Sequence, residues 1–146
     1  MSPEPRPGGR DEAAPATVPV PALVVMHGDL AQALLRAVEK VYGSTEGLEA
    51  LSNEGLSRDA LQAGIQQRID AWPGAGIVCV DFWGSSCHAA AACVARTRDI
   101  VVITGCHLGM LLDFMHNRET HGRDALAERM RTKGLESIRL VQGGAS

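Results

Sequence analysis

His27 and Asp81 each stand immediately after an apolar run, Val20 to Met26 for the histidine and Gly76 to Val80 for the aspartate. Runs of that kind read as strands buried on both faces, and in an open α/β sheet ligands bind beyond the carboxyl ends of the strands. At one sheet edge the two residues can face one another. A carboxylate that accepts from one imidazole nitrogen fixes the tautomer and leaves the other nitrogen with its lone pair outward, the form a phosphoryl-accepting histidine requires. Such a transfer needs little more than an aligned nucleophile and donors for the equatorial oxygens. Gly84, Ser85 and Ser86 offer those donors as backbone N–H groups, hydroxyls and a helix N-terminus, and Gly28 leaves the face of His27 open. Taken singly, a His-Gly pair, a strand-end aspartate and a Gly-Ser-Ser turn are common structural devices. Their joint placement is what points to chemistry.

Positioning these residues takes a sheet covered by helices. After the first strand, Leu30, Leu34, Val38 and Val41 recur at helical spacing up to Gly43. Leu48 to Leu51 reads as a weaker second strand. Ser57 caps a helix whose Leu61, Ile65, Ile69 and Trp72 share a face before Pro73 ends it. After the third strand, Ser86 opens an alanine-rich helix over Ala89 to Ala92. Ile100 to Thr104 is a fourth strand, Leu108 to Met115 a short helix, Asp124 to Lys133 a helix stopped by Gly134, and Ser137 to Val141 a last strand. The order predicts a three-layer α-β-α fold of the α/β class with a mainly parallel central sheet.

The chain has one domain's length, 146 residues, and with only 2 Phe, 2 Trp and 1 Tyr its core must be aliphatic. A formal charge of −3, from 14 Lys and Arg against 17 Asp and Glu, argues against nucleic acid as a partner. The longest apolar stretch, Ala89 to Ala95, is far below the roughly 18 residues that a membrane helix needs. Six of the 7 prolines fall in the first 21 residues, so residues 1–18 read as a Pro/Gly-rich flexible tail, 19–142 as the domain and 143–146 as a short tail. The 4 cysteines show no framework spacing and suit a reducing cytoplasm. His88, His107, His116 and His121 lack the close spacing of metal-ligand pairs with Cys87 or Cys106, so neither metal nor organic cofactor is expected. His107 is a candidate for contact with phosphate or a partner and Trp83 for the docking surface, though structural roles weigh more for both. Cys87, near a helix N-terminus, is a candidate for a lowered pKa.

Val24-Val-Met-His-Gly-Asp-Leu-Ala31, Val80-Asp-Phe-Trp-Gly-Ser-Ser86 and Ile103-Thr-Gly-Cys-His-Leu-Gly-Met-Leu111 together resemble the mannose-family IIA component of the bacterial phosphoenolpyruvate:sugar phosphotransferase system. The resemblance covers about residues 20 to 141. It implies that His27 accepts a phosphoryl group from phospho-HPr through Nε2 and passes it to a IIB component for sugar uptake. It implies that Asp81 hydrogen-bonds the histidine and that Ser86 lies near the phosphoryl group. It also implies a homodimer whose C-terminal strand crosses to the partner's sheet, with membrane IIC and IID components reached indirectly through a separate IIB protein. The family commonly has Pro after the loop serine and an Asn-Leu-Pro type sequence after strand four, where this chain has Cys87 and His107-Leu-Gly109. Two other readings stand beside it. One is a regulatory module whose phosphorylation state is sensed without sugar transport. The other is a receiver-like domain phosphorylated on Asp81, which would need an acidic cluster for Mg²⁺ where this chain has His27, Gly28 and Asp29.

Overall fold

The computed structural model describes residues 18–144, so the expected tail over 1–18, Val18 apart, and the last two residues of the expected tail over 143–146 lie outside the described residues. Four strands alternate with helices: β1 (Ala22–Met26), α1 (Leu30–Tyr42), β2 (Leu48–Ser52), α2 (Arg58–Asp70), β3 (Gly76–Val80), α3 (Ser86–Ala95), β4 (Ile100–Ile103), α4 (Leu108–Asn117) and α5 (Arg123–Glu136). All the pairings are parallel and the sheet order is β2-β1-β3-β4. The three-layer α/β architecture is thus as expected.

β1 and β3 are the inner strands, and every residue of both is buried, which is why their sequences are continuously apolar instead of alternating. Successive side chains still point to opposite faces. Ala22, Val24, Met26, Ile77 and Cys79 pack with Val38, Leu111, Phe114, Leu126 and Met130 from α1, α4 and α5. Leu23, Val25, Val78 and Val80 pack on the other face with Leu61, Ile65 and Ile69 of α2 and Ala90, Ala91 and Val94 of α3. The alanines let α3 lie close to the sheet.

The C-terminal end departs from expectation twice. α5 runs through Gly134 to Glu136 instead of stopping there. Gly134 is buried, and a Cβ on it would sit 2.7 Å from Met110 Sδ, so this glycine serves a close helix approach and not a helix stop. Residues 137–141 form no strand. Ile138 hydrogen-bonds back to Leu135 in the turn that ends the helix, and the segment meets no strand of its own sheet. Ile138, Leu140 and Val141 are left 74%, 98% and 94% exposed. The sheet of the described chain therefore has four strands, not five.

Candidate functional site

The chain leaves β1 toward β2 on one side and leaves β3 toward β4 on the other, so strand order reverses between two neighbouring strands and a crevice opens at their carboxyl ends. His27 and Asp81 occupy it. His27 Nδ1 lies 2.7 Å from Asp81 Oδ2, and the same oxygen accepts from the His27 backbone N–H at 3.0 Å. A carboxylate only accepts, so in the neutral imidazole Nδ1 carries the ring proton and Nε2 keeps its lone pair. The Asp81 side chain is only 10% exposed, whereas that of His27 is 37% exposed. The aspartate orients from below and the ring faces solvent. Asp81 Oδ1 is buried and has no hydrogen-bond partner among the described residues.

The turn after Asp81 divides its labour. Ser85 is buried and caps α3, accepting from His88 N–H at 3.1 Å and donating to Phe82 O at 2.9 Å. Its hydroxyl is therefore committed to the fold. Gly84 has φ +87°, a left-handed conformation natural to glycine, and its N–H donates to His88 Nδ1 at 3.0 Å. Of the two serines only Ser86 points its hydroxyl toward the imidazole, with Oγ 3.5 Å from His27 Nε2. The N–H groups of Ser86 and Cys87 open the helix and have no intrahelical partner.

Gly28 is explained by its backbone, since φ is +60° and the space where a Cβ would sit has only Glu54 Oε1, at 4.0 Å. Its N–H donates to Asn53 Oδ1 at 3.1 Å, and its carbonyl accepts from the Ser52 hydroxyl. Asn53, Phe82 and the placement of Cys87 escaped the sequence reading. Asn53 follows β2, whose Ser52 is in register with Met26, so aligning the two strands would have revealed it. Phe82 stacks on His27 with ring centroids 5.2 Å apart and a 26° interplanar angle. Cys87 Sγ lies 3.8 Å from His27 Nδ1. Sixty residues separate them in sequence, and no spacing rule spans that.

Contrary to expectation, the Cys87 pKa is not lowered. Burial, joined by the charge of Asp81, pushes the thiol up to about 11, against a smaller opposing effect of the Ser86 hydrogen bond. Cys79 is also pushed up, first by its hydrogen bond with Cys106 and then by burial. All four cysteines are free. His107 caps α4, with Nδ1 accepting from Gly109 N–H at 3.1 Å and Nε2 facing Ser137 Oγ at 3.0 Å. It joins α4 to the end of α5. Trp83 is 76% exposed and leans on His88, with ring centroids 4.3 Å apart. Among the described residues no helix is long and apolar enough to cross a membrane.

The family profile EIIA-man, described as "PTS system fructose IIA component", matches residues 22–131. A comparison with curated protein sequences finds no match. Among solved structures, the chain is similar to the phosphotransferase system component EIIA from Streptococcus agalactiae, at 22% identity and a TM-score of 0.75 over 82% of this chain and 95% of that one. It is similar to the mannose/sorbose specific IIA subunit from Enterococcus faecalis at 17% identity and a TM-score of 0.74, over 88% and 99% of the two chains. A sigma-54 interaction domain protein from Enterococcus faecalis is similar at 13% identity and a TM-score of 0.69, over 84% and 94%.

Proposed function

We propose, for a chain that belongs to the EIIA-man family of phosphotransferase-system IIA components, that it is a phosphocarrier whose acceptor atom is Nε2 of His27. The observation that carries this reading is the 2.7 Å contact between Nδ1 and the buried carboxylate of Asp81, which puts the lone pair of the neutral ring on the exposed Nε2. In the forward step the Nε2 lone pair attacks the phosphorus of a donor phosphohistidine. The donor's N–P bond breaks, its imidazole leaves with the electron pair, and a new N–P bond forms at Nε2. His27 becomes an imidazolium whose Nδ1–H is held by Asp81, as a preorganised anion stabilises charge that develops in transfer. The Ser86 hydroxyl and the unpaired N–H groups of Ser86 and Cys87 are the donors for the phosphoryl oxygens.

In this reading phospho-HPr is the donor and a separate IIB protein the acceptor, with residues 19–142 as the carrier domain in the cytoplasm. The four free cysteines suit that compartment. The exposed Ile138, Leu140 and Val141 support a homodimer in which this segment pairs with the sheet of a second copy. A receiver role for Asp81 fits the geometry poorly, since its side chain is buried and Oδ2 is already engaged twice. The fold's occurrence in a sigma-54 interaction domain protein favours keeping one second reading, in which another protein senses phospho-His27.

The test is intact-mass analysis after incubation with phosphoenolpyruvate, enzyme I and HPr. Wild type is expected to gain one acid-labile phosphoryl group and His27→Ala none. Equal labelling of both chains, or of neither, would overturn the assignment. Labelled protein that passes its group to no IIB component would favour the sensor reading.

A further inference from the structure

We propose that His27, Asp81 and Cys87 form a binding site for one thiophilic divalent cation, best fitted to zinc, and that its occupation excludes phosphorylation of His27. One donor atom from each residue lies within 4.8 Å of the other two. Zinc bonds of about 2.3 Å to sulfur and about 2.0–2.2 Å to nitrogen or oxygen place tetrahedral ligands roughly 3.6 Å (S to N) and 3.3 Å (N to O) apart. The Cys87 Sγ to His27 Nδ1 separation of 3.8 Å is already close to that spacing. The Nδ1 to Oδ2 separation of 2.7 Å opens by about half an ångström when a cation replaces the shared proton.

A second observation points to a ligand independently. Asp81 is nine-tenths buried, and its Oδ1 has no partner among the described residues. A buried, unpartnered carboxylate oxygen is costly. A cation bound through Oδ2, which also keeps the backbone N–H of His27, offsets that cost by neutralising the carboxylate. Thiolate, imidazole and carboxylate together suit zinc and not magnesium or calcium. The part-exposed edge of His27 gives entry, and water completes the coordination.

The exclusion rests on the phosphocarrier reading. A cation at Nδ1 takes that nitrogen's lone pair, so the ring proton moves to Nε2, and the Cys87 thiol releases one proton to solvent as its sulfur binds. Nε2–H has no lone pair with which to attack phosphorus. Conversely, a phosphoryl group at Nε2 keeps the proton on Nδ1 and closes the cation site.

The full chain is titrated with Co²⁺ and then Zn²⁺, with no phosphoryl donor present. One cation per chain is expected, giving a thiolate-to-cobalt charge-transfer band that zinc abolishes. Cys87→Ser should lose the band and bind zinc about a hundredfold more weakly or worse, while Cys106→Ser should change neither. In imidazole NMR of the zinc-saturated wild type, the His27 ring proton should move from Nδ1 to Nε2. Absence of the band in wild type, equal affinity in Cys87→Ser, or a proton that stays on Nδ1 would each overturn the site, and the first and last need no variant to fold. Purified phospho-HPr is then offered to the zinc-loaded chain freed of excess metal. Labelling should fall at least about tenfold, and full-rate labelling of loaded protein would overturn the exclusion. A chain unlabelled even without zinc would overturn the carrier reading instead, leaving the cobalt band and the ring proton to decide the site.

Discussion

One oxygen of Asp81 accepts from both the backbone N–H and Nδ1 of His27, so the carboxylate fixes where the ring begins and how it is turned. Asp81→Asn keeps the shape but offers the ring no anion to stabilise its charged form. Phosphoryl transfer to His27 is expected to slow by about 10²-fold or more, with an unchanged circular dichroism spectrum. Rapid-quench labelling from phospho-HPr would measure this, and wild-type speed would sink the orienting role. Cys87 gives a second prediction at this scale. Its folded pKa, about 11, lies above the ordinary 9.0, so the folded state favours the neutral thiol. That contribution to stability is whole below pH 9 and is lost as pH rises through 11. Cys87→Ala should therefore flatten part of the alkaline fall seen in denaturant titrations across that window, with Cys79 supplying more in the same direction. An unchanged slope would mean that burial does not set this thiol's pKa.

At the scale of elements, the turn between β3 and α3 is held by one hydroxyl, since Ser85 both caps the helix and ties back to Phe82. Ser85→Ala should cost about 1 kcal/mol, lowering the melting temperature by roughly 3–5 °C for a domain of this size. It should also slow labelling, because Ser86 rides on the same turn. A lower melting temperature with undiminished labelling would separate the cap from the site. β1, β3 and the pairing of His27 with Asp81 were legible in the sequence because buried parallel strands are spelled out as unbroken apolar runs, and the residue just past the end of such a run must lie at the sheet edge. Which hydroxyl or N–H of Gly84, Ser85 and Ser86 stays free was not legible, since capping geometry decides it. Gly134 misled for a related reason. A glycine that admits Met110 and a glycine that ends a helix look the same until the neighbouring helix is in place.

For the whole molecule, the apolar alternation over 137–141 announces a surface that wants covering without saying what covers it. Beside it lies a cleft of about 440 Å³ lined by Ile103, Met110, Leu135 and Ile138 among others. If the segment pairs with a second copy, removing residues 138–146 should turn a dimer into a monomer in analytical ultracentrifugation while leaving His27 able to be labelled. A full-length chain that sediments as a monomer would refute the exchange.

β1 is hydrogen-bonded to a neighbour on each side and β3 likewise, so their amides are sealed in the ladder under both helical layers. In deuterium exchange such amides are expected to open only with the whole molecule, and those of the turn from Phe82 to Ser86, outside the ladder, to open locally. His27 thus directly follows a strand sealed in the ladder and faces, with Ser86 Oγ 3.5 Å from Nε2, a turn that lies outside it. If His27 carries a phosphoryl group, any backbone motion that the transfer needs is expected in that short turn, and faster deuterium uptake there than in β1 would be its signature.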